Sequence, residues 1–245
     1  MDISFISPAI LARETSFLNN ALVEFFRFIH SAVQAVVGNP NVSYGLAIIL
    51  MTIIIRLILF PLNYKQIKSQ VKMSEIQPQI KQLQAKYKND PQKQQQEMAK
   101  FYKENGVNPL GGCLPLLLQW PILIALYYVF NNLGVNEKDI ADATFLGLKL
   151  MGIADMSNPL TWILPLLSGA LTYYSTTIMT SKNADEAQIK QTRTMSIGMS
   201  IMITFMSFKF STALVLYWVT NSVVQITQTL LMKKMNEKPV VKEGV

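Results

Sequence analysis

Apolar stretches long enough to cross a bilayer alternate with lysine-rich polar blocks along this chain of 245 residues. A helix needs roughly 20 apolar residues to cross about 30 Å of hydrocarbon. Inside that layer every backbone amide must be satisfied within the segment, so such stretches dictate helices. Hydrophobic residues make up 50% of the chain and charged residues 15%. A soluble domain can approach the first figure, so the distribution and not the total decides the class. The stretches also lack the polar stripe that a soluble core helix turns to water. The chain therefore reads as an all-α integral membrane protein.

Five transmembrane helices are expected, at 44–62, 111–133, 159–180, 195–208 and 212–232. From Met195 to Met232 the chain is apolar for too long to be one crossing, and Lys209 in Phe208-Lys-Phe-Ser211 is the expected turn. The fourth span is then short and should tilt or thin the bilayer locally. Ahead of the first span, in segment 1–43, Ser16 can cap an amphipathic helix running to about Val37. Phe17, Leu18, Leu22, Phe25, Phe26, Ile29, Val33 and Val36 recur on one side of it, which suits the membrane interface. Gly38-Asn-Pro40 ends it.

Between the first two spans lies a polar block, 63–108, rich in Lys and Gln. Ile67, Val71, Ile76, Ile80, Leu83 and Tyr87 fall at spacings near 3.5, Asn89-Asp90-Pro91 breaks the pattern, and Pro91 can open a second helix carrying Met98, Phe101 and Tyr102. An antiparallel helical hairpin is expected, kinked at Pro78. The remaining segments are a loop at 134–158, a short loop at 181–194 and a basic tail at 233–245.

Formal net charge is +7, and most of the 22 lysines and arginines fall in the hairpin, the 181–194 loop and the tail. The opposite side keeps only Arg13, Arg27, Lys138, Lys149 and Lys209. The positive-inside rule makes the first side cytoplasmic, with the N-terminal helix external and the C-terminus internal, in a plasma membrane. The single cysteine, Cys113, excludes an internal disulfide. No basic segment precedes an apolar one at the start, so no cleavable signal is expected. Leu110-Gly-Gly-Cys113 reads as part of a helix start and not as a lipidation site.

Arg56 lies within Ile53-Ile-Ile-Arg-Leu-Ile-Leu-Phe60. Placing an arginine at mid-membrane costs from about 2.5 to about 17 kcal/mol, depending on how it is measured. Two arrangements lower that cost. The side chain can snorkel toward the interface near Pro61, or it can face a hydrated cavity between helices. Asp and Glu are absent from all five expected spans, so an acidic group of a cargo is the expected partner. A proton- or sodium-coupled transporter would place carboxylates at the midplane. No nucleophile–base pair, metal cluster or phosphate loop stands out, so neither an enzyme nor a cofactor or metal site is expected. Gln119, Thr172, Ser175, Thr176, Tyr217, Thr220, Asn221, Ser222, Gln225 and Gln228 could line the same cavity or simply bond between helices.

Asn108-Pro-Leu-Gly-Gly-Cys-Leu-Pro-Leu-Leu-Leu-Gln-Trp-Pro-Ile122 resembles the second-span signature of the YidC/Oxa/Alb membrane protein insertases. Leu214-Val-Leu-Tyr-Trp-Val-Thr-Asn221 resembles their last-span signature. The arginine before Phe60-Pro61-Leu62, the hairpin and the five-span order match as well. The resemblance implies a bacterial insertase and chaperone for small or weakly hydrophobic membrane proteins, acting through a hydrophilic groove open to cytoplasm and lipid. It implies Arg56 as the groove arginine and Trp218 as an aromatic groove position; Gln119, Ser175, Tyr217, Asn221 and Gln225, from the polar residues above, are the expected groove positions beside them. In the third span, where relatives commonly carry Gln, this chain has Tyr174-Ser-Thr-Thr177. The implied partners are nascent membrane proteins, the ribosome, the Sec translocon, the signal-recognition machinery and membrane lipids.

Overall fold

A computed structural model describes residues 8–107, 114–178 and 186–236. Expectations for 1–7, 108–113, 179–185 and 237–245, including the first part of the second-span signature, lie outside the described residues. The described chain is nearly all helical: α1 (Pro8–Val37), α2 (Pro40–Ile58), α3 (Phe60–Lys86), α4 (Pro91–Glu104), α5 (Leu114–Asn136), α6 (Lys138–Asp142), α7 (Ile163–Thr177), α8 (Glu186–Ser207) and α9 (Thr212–Asn236). Among the described residues, α2 is the helix long and apolar enough to cross a membrane.

Several boundaries differ from the sequence reading. The α1 helix is already formed at Pro8, so Ser16 lies inside it and is not its cap. Toward the hairpin, α2 stops at Ile58, one turn earlier than apolarity suggests, and α3 starts at Phe60 with Pro61 in its first turn. Proline supplies no amide to continue the bonding of α2, so it is tolerated in the first turn of a new helix, which sets the break at Leu59. Through Pro78 the α3 helix is continuous. The apolar stretch 195–208 is the C-terminal part of a 22-residue helix, because the polar residues from Glu186 onward keep helical hydrogen bonding.

The loop after α5 is not all-α. Thr144–Phe145 (β1) and Leu148–Lys149 (β2) pair antiparallel, with Thr144 opposite Lys149 and Phe145 opposite Leu148. Leu146 and Gly147 both take positive φ, 53° and 80°, as a two-residue primed turn requires. Glycine occupies that conformation freely but leucine does not, so no turn signal marks the position in the sequence.

The chain packs as two compact units. The first comprises residues 1–57, 118–168 and 203–221. Its core gathers Phe26, Ile48, Met51, Leu126, Phe130, Leu133, Ile140, Leu150 and Leu214. On α1, Val23, Phe26 and Ile29 face this core, while Glu24, Arg27 and Ser31 face outward. The Phe26 ring meets Phe130 edge-on at 6.0 Å and lies parallel to Tyr44 at 6.4 Å. The Arg27 guanidinium bonds Glu137 at the end of α5 and Glu24 on its own helix. Gly45 is required where β1 crosses α2, because a Cβ there would lie 2.1 Å from the Phe145 ring.

His30 joins α1 to α2. Its ring stacks on Tyr44 at 3.7 Å, and its Nε2 lies 2.9 Å from Ser43 Oγ. The Ser43 hydroxyl also faces the Gln34 side-chain carbonyl and the Pro40 main-chain carbonyl. Both of these only accept, so they take the serine proton and the His30 Nε2 must carry its own. Burial holds this imidazole below its usual pKa, against the opposing pull of Glu137 and Asp139.

The first turn of α9 is satisfied from the loop. Thr212 N–H donates to the Gly152 carbonyl and Ala213 N–H to the Leu150 carbonyl, each at 2.8 Å. These cover donors that a helix start otherwise leaves open.

The second unit comprises residues 58–117, 169–202 and 222–245. Within it α3 and α4 pack as a helical hairpin around Ile76, Ile80 and Val107, flanked by Met73, Met98, Phe101 and Tyr102. Asp90 caps α4 by accepting from Lys93 N–H at 3.0 Å, next to Pro91 in the first turn. Lys86 and Lys93 both place their ammonium groups over the Tyr87 ring near the tip.

Candidate functional site: a buried arginine on a chain of amides

Tyr44, Ile48, Thr52 and Arg56 recur every fourth residue on α2 and are all buried. This is the inner stripe of a helix, so Arg56 continues a row of core residues and is not turned to lipid. Its residue is 9% exposed. That disposes of snorkelling along the outer surface, where Leu57 and Ile58 lie instead.

The α9 helix presents Leu214, Tyr217, Trp218 and Asn221 on one buried face, at spacings of three and four. On α5, Leu123, Leu126, Phe130 and Leu133 form the matching stripe, and Gln119 stands one turn ahead of it. Three polar positions thus sit at the ends of three apolar stripes.

These positions are bonded in sequence. Arg56 Nε donates to Asn221 Oδ1 at 2.5 Å. Asn221 Nδ2 donates to Gln119 Oε1 at 3.5 Å, the longest link. Gln119 Nε2 donates to the Tyr217 hydroxyl oxygen at 2.9 Å. A guanidinium offers donors only, so Asn221 must turn its carbonyl toward Arg56. Only its NH2 is then left for Gln119, and only the NH2 of Gln119 is left for Tyr217. The arginine fixes the orientation of both amides.

The expectation that Arg56 has no partner inside the protein is therefore corrected: Asn221 accepts from it. Both residues are legible as polar positions in apolar spans, but their pairing is not, because they are 165 positions apart and no local pattern records which helix faces meet. Arg56, Gln119, Tyr217 and Asn221 come together, and Trp218 packs in the adjoining apolar core. Ser175 and Gln225 belong to the second unit. There the Ser175 hydroxyl donates to the Thr172 carbonyl of its own helix, and the Gln225 carbonyl accepts from Thr229 Oγ1. The same unit holds Asn63 and Gln66, buried polar residues at the start of the polar hairpin block that no local pattern marks as buried. Their side-chain NH2 groups are buried without a hydrogen-bond partner, as is the Gln228 side-chain oxygen.

The sequence pattern of the 60Kd inner membrane protein family matches residues 35–239, which includes all of these positions. The chain belongs to the YidC family of membrane protein insertases. It is 51% identical to the membrane protein insertase YidC of Clostridium tetani over 223 residues, covering 91% of this chain and 96% of that one. Against the protein of the same description from Clostridium acetobutylicum, identity is 52% over 215 residues, 88% of this chain and 83% of the relative. The Helicobacter pylori relative is longer: 40% identity over 195 residues covers 80% of this chain but 34% of that protein. These relatives are bacterial, and the family description places the chain among inner membrane proteins.

Proposed function

We propose that this chain inserts small or weakly hydrophobic proteins into the bacterial plasma membrane and helps them fold, through a hydrophilic groove that contains Arg56. The observation that carries this reading is the buried guanidinium, bonded to the Asn221 carbonyl, in an otherwise uncharged helix. A cation so placed attracts acidic groups strongly, because the surroundings screen it poorly. A client's hydrophilic segment enters the groove from the cytoplasm, its acidic residues drawn toward Arg56, and its polar groups then cross less hydrocarbon. Its apolar segment slides into lipid beside the groove. Trp218, Gln119, Tyr217 and Asn221 border the client. Ser175 and Gln225, in the second unit, are proposed as further polar contacts for the client. No nucleotide or cofactor takes part, and nothing is catalysed.

The proposed topology has five spans, an external N-terminus and a cytoplasmic C-terminus, as the lysine distribution supports. The hairpin then receives the nascent client. The basic loops and tail meet anionic lipid or ribosomal RNA, the latter with strong salt dependence. The Sec translocon and the signal-recognition machinery are proposed partners on the same route.

A photo-crosslinker at Ile55 or Leu57 should capture a ribosome-bound nascent membrane protein, and Arg56→Ala should lower insertion of acidic clients about tenfold or more. Failure to crosslink, together with full insertion of every client by Arg56→Ala, would remove the groove reading.

A further inference from the structure

Buried polar groups in a folded protein nearly always have a hydrogen-bond partner. The second unit breaks this rule three times. Asn63 Nδ2, Gln66 Nε2 and Gln228 Oε1 are buried without one, on residues 7%, 5% and 7% exposed. Asn63 and Gln66 lie three positions apart near the start of α3 and share a face with the buried Ile67, while Lys65 and Lys68 are exposed. On α9, Gln228 lies one turn ahead of the buried Met232. Outside the hairpin core, Ile67 and Met232 are the buried apolar residues of this unit among the described residues, so its interior here is more polar than apolar. The hydroxyls in it are satisfied locally: Ser175 and Thr229 bond back to carbonyls of their own helices. The amides are not. Two donor groups and one acceptor remain, complementary in kind, and none pairs with another.

Leaving such atoms unpartnered is costly, and an apolar side chain of similar bulk would avoid the cost. A polypeptide segment crossing a water-poor interior brings the matching demand, because each residue carries one N–H and one C=O that need partners. We propose that Asn63, Gln66 and Gln228 form a main-chain binding site for the client. The two NH2 groups donate to carbonyls of its extended hydrophilic segment, and Gln228 Oε1 accepts one of its N–H groups. This site rests on the groove reading above and adds to it contacts that are blind to client sequence, where Arg56 selects for charge. The three atoms are covered in this structure, so the helices of this unit part to admit the client. The bonds gained on opening offset part of the packing lost.

The test uses the full chain reconstituted in phosphatidylethanolamine–phosphatidylglycerol vesicles, with two ribosome-stalled clients carrying two Asp or two Asn in the translocated segment. Gln66→Leu and Gln228→Leu each remove a bonding group but keep the bulk. Each should lower insertion of both clients by the same factor, about fivefold. The thermal midpoint should stay level or rise, because an unpaired buried group has gone. A midpoint that falls together with insertion means that the amides serve the fold through internal water, and overturns the proposal. In a second arm the wild-type protein meets the neutral client with one backbone amide at a time replaced by an ester, which has no N–H to donate. Insertion should fall at one or two ester positions, again about fivefold, and Gln228→Leu should erase that difference. Equal insertion of every ester client overturns the main-chain site whatever the leucine variants do. Should those variants not accumulate, the ester arm decides alone, and a drop confined to one or two positions supports the site. If Arg56→Ala lowers insertion of the acidic client while the leucine and ester arms change nothing, the main-chain site fails and the groove stands. If Arg56→Ala inserts both clients fully, the groove reading itself fails.

Discussion

At the scale of single residues, two ionisable groups are handled in opposite ways. Arg56 keeps its charge because a guanidinium is not deprotonated in proteins, and the Asn221 carbonyl gives that charge a hydrogen bond of a kind that contributes about 1.5–3 kcal/mol. His30 is held toward its neutral form by burial, wedged against the Tyr44 ring with one nitrogen committed to Ser43. Its pKa is lowered in the folded state, so below its ordinary value of 6.5 the unfolded chain binds more protons than the folded one. Stability is then lost as pH falls through that region. The docking of α1 on α2 should loosen on acidification from pH 7 to pH 5, seen as faster hydrogen exchange over residues 23–37. His30→Gln should flatten that pH response; an equally steep response in the variant would assign it to another group.

At the scale of elements, the tightest joint is the crossing of β1 over α2. Gly45→Ala would gain helix propensity, but its Cβ would meet the Phe145 ring at 2.1 Å. Overpacking of this kind costs about 1–3 kcal/mol, so the thermal midpoint should drop. Phe145→Ala in the same chain should relieve the clash, making the two changes non-additive. Sequence reading found the helices because apolar spacing is a local property, and it found the hairpin core at Ile76, Ile80, Met98, Phe101 and Tyr102 for the same reason. It placed the end of α2 too late because leucine and isoleucine are as apolar after a break as before it. It missed the β-turn because Leu146 adopts a positive φ that no leucine announces. Within the site, Arg56 was legible as a charge in an apolar run. Its bond to Asn221 was not, since pairing between distant helices is decided by packing.

At the scale of the whole molecule, the lysine distribution makes a claim about sidedness that chemistry can check directly. In a chain whose one cysteine is removed by Cys113→Ser, Lys88→Cys at the hairpin tip should react with a membrane-impermeant maleimide only from the cytoplasmic face. Leu146→Cys, in the exposed turn, should react only from outside. Labelling of both from one side would overturn the five-span arrangement.

The bonds from Thr212 and Ala213 to the carbonyls of residues 150–152 have a consequence for how the protein is itself made. The α9 helix borrows acceptors for its first amides from a stretch translated some sixty residues earlier. During synthesis from the N-terminus that seat exists before its occupant emerges. The helix bearing Asn221 thus docks onto a place already prepared.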